Sequence, residues 1–126
     1  MKSIVGNKSY TFALRIIKVY NYLVKEQHEF VLSKQLLKSG TAIGALIQES
    51  EHAQSTADFI NKMNIAIKEA NETEYWLMLL KDSEYFDEKS FTSIHEECNE
   101  IISMLVCIIK ISKEKEKNKK LNHGIK

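Results

Sequence analysis

The sequence predicts an all-α protein, an antiparallel up-down-up-down four-helix bundle. Three observations carry that prediction. The 126 residues contain no proline and only four glycines, too little punctuation for the many short strands of a β fold. Long stretches repeat apolar residues at alternating spacings of three and four, the period of a helix buried along one side. The connections between these stretches are short, which makes consecutive helices antiparallel neighbours. At this length the chain is one domain with one core. Residues 1–112 are expected to form the bundle, and 113–126 a lysine-rich, disordered tail.

The first helix reads from a cap at Ser9 or Asn7. Its core line is Phe12, Ile16, Val19 and Leu23, with Ala13, Ile17, Tyr20 and Val24 as a second apolar stripe, and its end falls near Glu26–His28. The second runs from Glu29 or Phe30 to about Ala53 and places Leu32, Leu36, Leu37, Ile43, Leu46 and Ile47 inside. Gly40 and Gly44 lie one turn apart within it. Each costs about 1 kcal/mol against alanine in a helix, and close approach of a neighbouring helix is the usual compensation. A break at Gly40 is the alternative.

Ser55 caps the third helix, with Asp58 three residues on as a capping box. That helix carries a seam at alternating spacings of four and three: Phe59, Met63, Ala66, Ala70, Thr73, Leu77 and Leu80. Its small middle lets partner helices approach. It ends near Asp82, and Asp87 or Glu88 opens the fourth helix, with seam Phe91, Ile94, Cys98, Ile101, Leu105 and Ile108, extended by Ile111. Ile102 and Ile109 flank that seam as Ile60 and Ile67 flank the third. One core uses one stripe per helix, so the spare stripes predict an oligomer.

Net charge is +1, but unevenly spread. Residues 1–45 carry seven cations against two carboxylates, residues 46–109 four against thirteen, and the tail from Lys110 seven against two. Such asymmetry points to a polyanion or an acidic partner; solvated faces are the simpler account. Arg15 is the only arginine, at a position expected to want a planar, bidentate donor. Cys98 and Cys107 are nine residues apart in one helix, about 13 Å along its axis and beyond the roughly 7 Å reach of a disulfide. Free thiols suit a reducing compartment. MKSIVGNKSY lacks the apolar core of a signal peptide, and no run reaches the about 18 apolar residues of a membrane span. The expected location is cytoplasmic, off the membrane.

Catalytic and metal chemistry find little support. Glu49 and His52 form one Glu-x-x-His, but a di-iron bundle needs two plus further carboxylates. His95 and Cys98 are one pair where a zinc site takes four ligands, and Cys98 lies on the apolar seam. There is no GxSxG, HExxH or phosphate-gripping glycine loop. Glu69 and Glu72 share a helix face and Glu74 points elsewhere; these carboxylates read as a polar network that sets helix register through Arg15, Lys38, Ser39, Thr41 or Tyr20, with acid–base work as the alternative. No catalytic residue, metal ligand or cofactor is expected.

The segments GTAIGALIQES (40–50), ADFINKMNIAIKEANETEYWLMLL (57–80) and EECNEIISMLVCIIK (96–110), in this order and spacing, resemble the four-helix-bundle proteins encoded within intervening sequences of bacterial large-subunit ribosomal RNA genes. The resemblance covers about residues 9–112, and SGTAIGA and KEANETEYWL are its most specific parts. That family is similar to the accessory protein of diversity-generating retroelements. The resemblance implies a homopentameric ring of four-helix protomers, in a family with no established enzymatic activity. In the retroelement relatives it also implies binding to RNA and to a reverse transcriptase. The acidic middle of this chain departs from those strongly basic relatives.

Two functions follow as expectations: a non-catalytic oligomeric scaffold or adaptor for RNA or a nucleic-acid enzyme, or a protein–protein interaction module without nucleic acid. A metal-dependent bundle enzyme ranks below both. If RNA is bound, the candidate contacts are Arg15, Lys18, Lys34, Lys38, Lys110, Lys113, Lys115, Lys117, Lys119 and Lys120. No aromatic residue is interleaved with the tail lysines, so base stacking and sequence readout are expected to be minor.

Overall fold

The computed structural model describes residues 3–125, which form four helices and no strand: α1 (Ile4–Lys25), α2 (Leu32–Ser50), α3 (Thr56–Asp82) and α4 (Glu88–Ile125). Each helix packs on its sequence neighbours and α1 on α4, while the diagonal pairs stay apart. The side-chain pairings run antiparallel. Gly40 meets Ile16 while Gly44 meets Ser9, and Lys8 pairs with Glu100 while Arg15 pairs with Glu97. The result is an up-down-up-down square.

The helix starts show what sets each boundary. α1 begins at Ile4 because the Ser3 hydroxyl accepts the Gly6 N–H at 2.9 Å. Asn7 and Ser9, the expected caps, lie inside the helix, and Ser9 is buried. After α1 the chain turns through His28 in the left-handed region at φ 54°, and the Glu29 N–H returns to the Leu23 carbonyl. α2 starts later than expected, at Leu32. Glu29 stands outside it as a cap, its carboxylate accepting the N–H groups of Val31, Leu32 and Ser33 at 3.3, 3.1 and 2.7 Å. Burial works to raise the pKa of Glu29, and these backbone donors outweigh it, leaving the carboxyl below its ordinary value. α2 then runs unbroken through Gly40 and Gly44. The capping box of α3 forms as read: Ser55 Oγ accepts the Asp58 N–H at 3.0 Å, and Asp58 reaches back to the Gln54 N–H. Asp87 caps α4 by accepting the Ser90 N–H at 2.7 Å.

The core gathers Phe12, Ile16 and Leu23 with Leu36, Ile43 and Ile47 from the first hairpin, and the Ala66, Ala70, Leu77, Leu80 line with Cys98, Ile101 and Leu105 from the second. On α4 the seam continues through Ile109, not Ile108, which is half-buried. A straight helix turns every 3.6 residues, so a strict 3.5-residue repeat drifts off the core, and a step of four from Leu105 restores it. The spare stripes also differ from expectation. Ile60, Ile67 and Ile102 pack at the margins of this core. Among the apolar residues turned outward on α1, Tyr10, Leu14 and Ile17 recur at spacings of four and three on one side of the helix.

α4 continues to Ile125, through the lysine-rich stretch that begins at Lys113. Between Ile111 and Gly124 the chain contains neither proline nor glycine, and its lysines and glutamates are good helix formers. At 38 residues α4 is about 57 Å long, and its last turns outgrow the bundle. No helix among the described residues is long and apolar enough to cross a membrane.

Candidate nucleic-acid interface

The structure divides the candidate cations between two ends of the molecule. Ile16 packs on Gly40, and Ser39 meets Thr73 across a 3.0 Å hydroxyl hydrogen bond. Arg15, Lys18, Lys34 and Lys38 therefore lie in the half that contains the α1–α2 connection. The α4 lysines lie at the other end, where Lys115 and Lys119 line a groove with Ser50, Ser55 and Phe59 beside the α2–α3 connection. Cys98 marks the level of Ala70, whose carbonyl accepts its Sγ–H at 3.4 Å. Lys115 lies 17 residues further along α4, about 25 Å away. The two lysine groups thus form separate surfaces.

At the first end the cations are already engaged or spread. Arg15 Nη1 pairs with Glu97 Oε1 at 3.1 Å, and Nη2 donates to Ser93 Oγ at 2.8 Å. The single arginine therefore ties α1 to α4 with its planar fork. Lys38 sits close enough to Glu69 to act on its carboxyl. The Glu69 pKa is raised, by burial first and by Glu72 second, with Lys38 and Lys68 opposing. Lys18 and Lys34 are exposed.

At the second end the helix sorts the lysines by angle. Lys110, Lys113, Lys117 and Lys120 recur at spacings of three, four and three, which places them on one side of α4. All four are exposed. They form a ridge about 15 Å long, at 1.5 Å rise per residue. Lys115 and Lys119 turn to the other side, into the groove described above. A ridge of exposed ammonium groups on a regular backbone is suited to phosphates, which Lys contacts as point charges. It presents no aromatic ring and no arginine fork for reading bases. The spacing was available in the sequence, but it acquires meaning only once the segment is helical.

The remaining constellations are structural. Glu74 does not join Glu69 and Glu72; its Oε2 meets His95 Nε2 at 2.9 Å between α3 and α4. His95 also stacks on Phe91, centroids 4.8 Å apart, and Glu72 accepts the Trp76 indole N–H. The register-setting contact across α2 and α3 is the Ser39–Thr73 pair, not a carboxylate. Burial, followed by the charge of Glu74, pushes the Cys98 thiol up to about 12, so it stays protonated and inert. Among the described residues no three His, Cys, Asp or Glu side chains gather as a metal site.

The chain is similar to known proteins both in sequence and in structure. A family model described as 23S rRNA-intervening sequence protein matches residues 1–107. A crystal structure of a protein of unknown function from the S23 ribosomal protein family of Bacteroides thetaiotaomicron VPI-5482 is 58% identical. The match covers 85% of this chain and 99% of that one, with a TM-score of 0.84. No curated protein matches. Neither description names a reaction.

Proposed function

This chain belongs to the 23S rRNA-intervening sequence protein family, and on that premise we propose that it is a non-catalytic, self-associating scaffold or adaptor that holds RNA through α4. The observation that carries this reading is the ridge of Lys110, Lys113, Lys117 and Lys120 on a helix that outgrows its own bundle. Four lysine–phosphate contacts release counterions. Affinity is then expected to fall about 50- to 150-fold between 50 and 200 mM salt, with little dependence on sequence. A self-associated form, with a pentameric ring as the expected assembly, repeats the ridge and multiplies modest contacts through effective concentration. The acidic α3 and early α4 confine the polyanion to that end.

The test compares the full chain with a truncation ending at Ser112 and with the Lys113→Glu, Lys117→Glu, Lys120→Glu variant, on a structured RNA at low salt. Loss of binding in both supports the reading. Equal binding by all three moves the site to Lys18, Lys34 and Lys38, and no binding by any leaves the second reading. That reading, a protein–protein module without nucleic acid, draws on Tyr10, Leu14 and Ile17, which are turned to solvent on one side of α1.

A further inference from the structure

The only arginine of the chain also borders a cavity that the lysine ridge does not use. α1 and α4 pack least closely of the four neighbouring pairs. Near the α3–α4 connection they part to leave a cleft of about 420 Å³, within the range that takes a small molecule. Val19 and Ile94 line it as apolar side chains, and Ile94 belongs to the core. Tyr22 from α1 and Tyr85 and Phe86 from the connection supply three aromatic rings. Arg15 and Lys18 supply two cations.

The polar groups here are unequal. Arg15 is held by Glu97 and Ser93, so its guanidinium is fixed in place before any ligand arrives, and a guanidinium has five donors, more than those two bonds use. Lys18 is exposed. The lining carboxylate, Asp87, is committed to the start of α4: its Oδ1 accepts the Ser90 N–H at 2.7 Å, and backbone hydrogen bonding there holds it below the ordinary aspartate range. Aromatic rings over an apolar floor favour a flat, apolar body. One fixed guanidinium beside one exposed ammonium offers donors to an oxyanion, against which stand the charges of Glu97, paired with Arg15, and of Asp87 in the lining.

We propose that this cleft binds a small aromatic phosphate, its ring against Tyr22, Tyr85 and Phe86 and its phosphate at Arg15 and Lys18. The site lies at the opposite end of the bundle from the α4 ridge and stands independently of RNA binding there.

The experiment titrates full-length, methyl-labelled protein with phenyl phosphate and follows the Val19 and Ile94 resonances. Saturable shifts at millimolar concentration are expected, with phenol and inorganic phosphate each weaker by about tenfold or more. Lys18→Ala, at an exposed position that leaves the fold intact, weakens phenyl phosphate about fivefold or more, and Lys34→Ala does not. Tyr85→Ala weakens it too, with a methyl spectrum confirming that the variant is folded. Absence of saturation by about 10 mM overturns the proposal. So does equal binding of inorganic phosphate, which reduces the site to surface charge, or an unaltered affinity in Lys18→Ala.

Discussion

Alanine at Gly40 and alanine at Gly44 are expected to move stability in opposite directions. Both positions are interior to α2, so both substitutions gain the same helix propensity, about 1 kcal/mol. What differs is the space. A Cβ on Gly40 would meet Ile16 Cγ1 and Cγ2 at 2.9 Å and Cδ1 at 3.2 Å. Two of those atoms branch from the Ile16 Cβ, and a β-branched residue in a helix has one strongly preferred χ1 rotamer. Ile16 is 0% exposed, so it has nowhere to turn, and the helices must separate. A Cβ on Gly44 would meet Ser9 atoms at 3.6 Å, an ordinary contact. Overpacking costs about 1–3 kcal/mol. Because the propensity gain is common to both, Gly44→Ala should exceed Gly40→Ala in stability by about that amount. For a chain of this size the gap is roughly 3–12 °C in Tm. Thermal and urea unfolding followed by circular dichroism, at one fixed protomer concentration, reads the difference. Ile16→Ala in the Gly40→Ala background supplies the coupling: the two changes together should cost about 1 kcal/mol or more less than their sum. Equal stability of the two alanine variants, or a more stable Gly40→Ala, would refute the placement of α1 on α2.

Cys107 is exposed and Cys98 buried, so a thiol reagent should titrate one cysteine per native chain at neutral pH and two in denaturant. Glu29→Ala removes the acceptor of three backbone N–H groups and should cost about 1 kcal/mol by urea unfolding. The folded pKa of Glu29 is depressed, so its contribution is present at neutral pH. That contribution is lost as pH falls below about 4.3 through the lower folded value; Glu29→Ala should therefore show a shallower loss of stability there than wild type. Light scattering at micromolar concentration should give a mass above the 14.6 kDa of one chain, and a single species of that mass would end the self-association reading. Leu14→Glu and Ile17→Glu should lower the assembled mass without unfolding the bundle, since both side chains point to solvent in the single chain.

Periodicity determined most of the architecture. The α3 seam from Met63 to Leu80 is buried as read, because core burial follows directly from 3.6-residue geometry. The capping box at Ser55 was equally local: a hydroxyl and a carboxylate three residues apart satisfy backbone donors in any context. The glycine pair in α2 announced a close approach, for a glycine in a helix interior is costly unless its missing side chain is used. That α1 is the helix that approaches, and that Gly40 is filled by Ile16 while Gly44 keeps room to spare, followed only from the packed pair.

Other features depended on contacts between residues far apart in the chain. The sequence calls for a planar donor at Arg15, but its partners Glu97 and Ser93 are some eighty positions away, and no local rule selects Glu97 among the thirteen acidic residues of the middle segment. The same holds for Glu74: spacing alone turns it away from Glu69 and Glu72, but its partner His95 lies on another helix. The apolar pattern opens α2 at Glu29 or Phe30; the fold of the α1–α2 connection makes Glu29 a cap instead. The lysines near the C-terminus were visible as a count and a charge. Their separation into a ridge and a groove-lining pair needed the helix, because only a fixed 100° turn per residue converts spacing into direction, and their distance from Lys18, Lys34 and Lys38 needed the antiparallel packing that sends the two ends of the bundle apart.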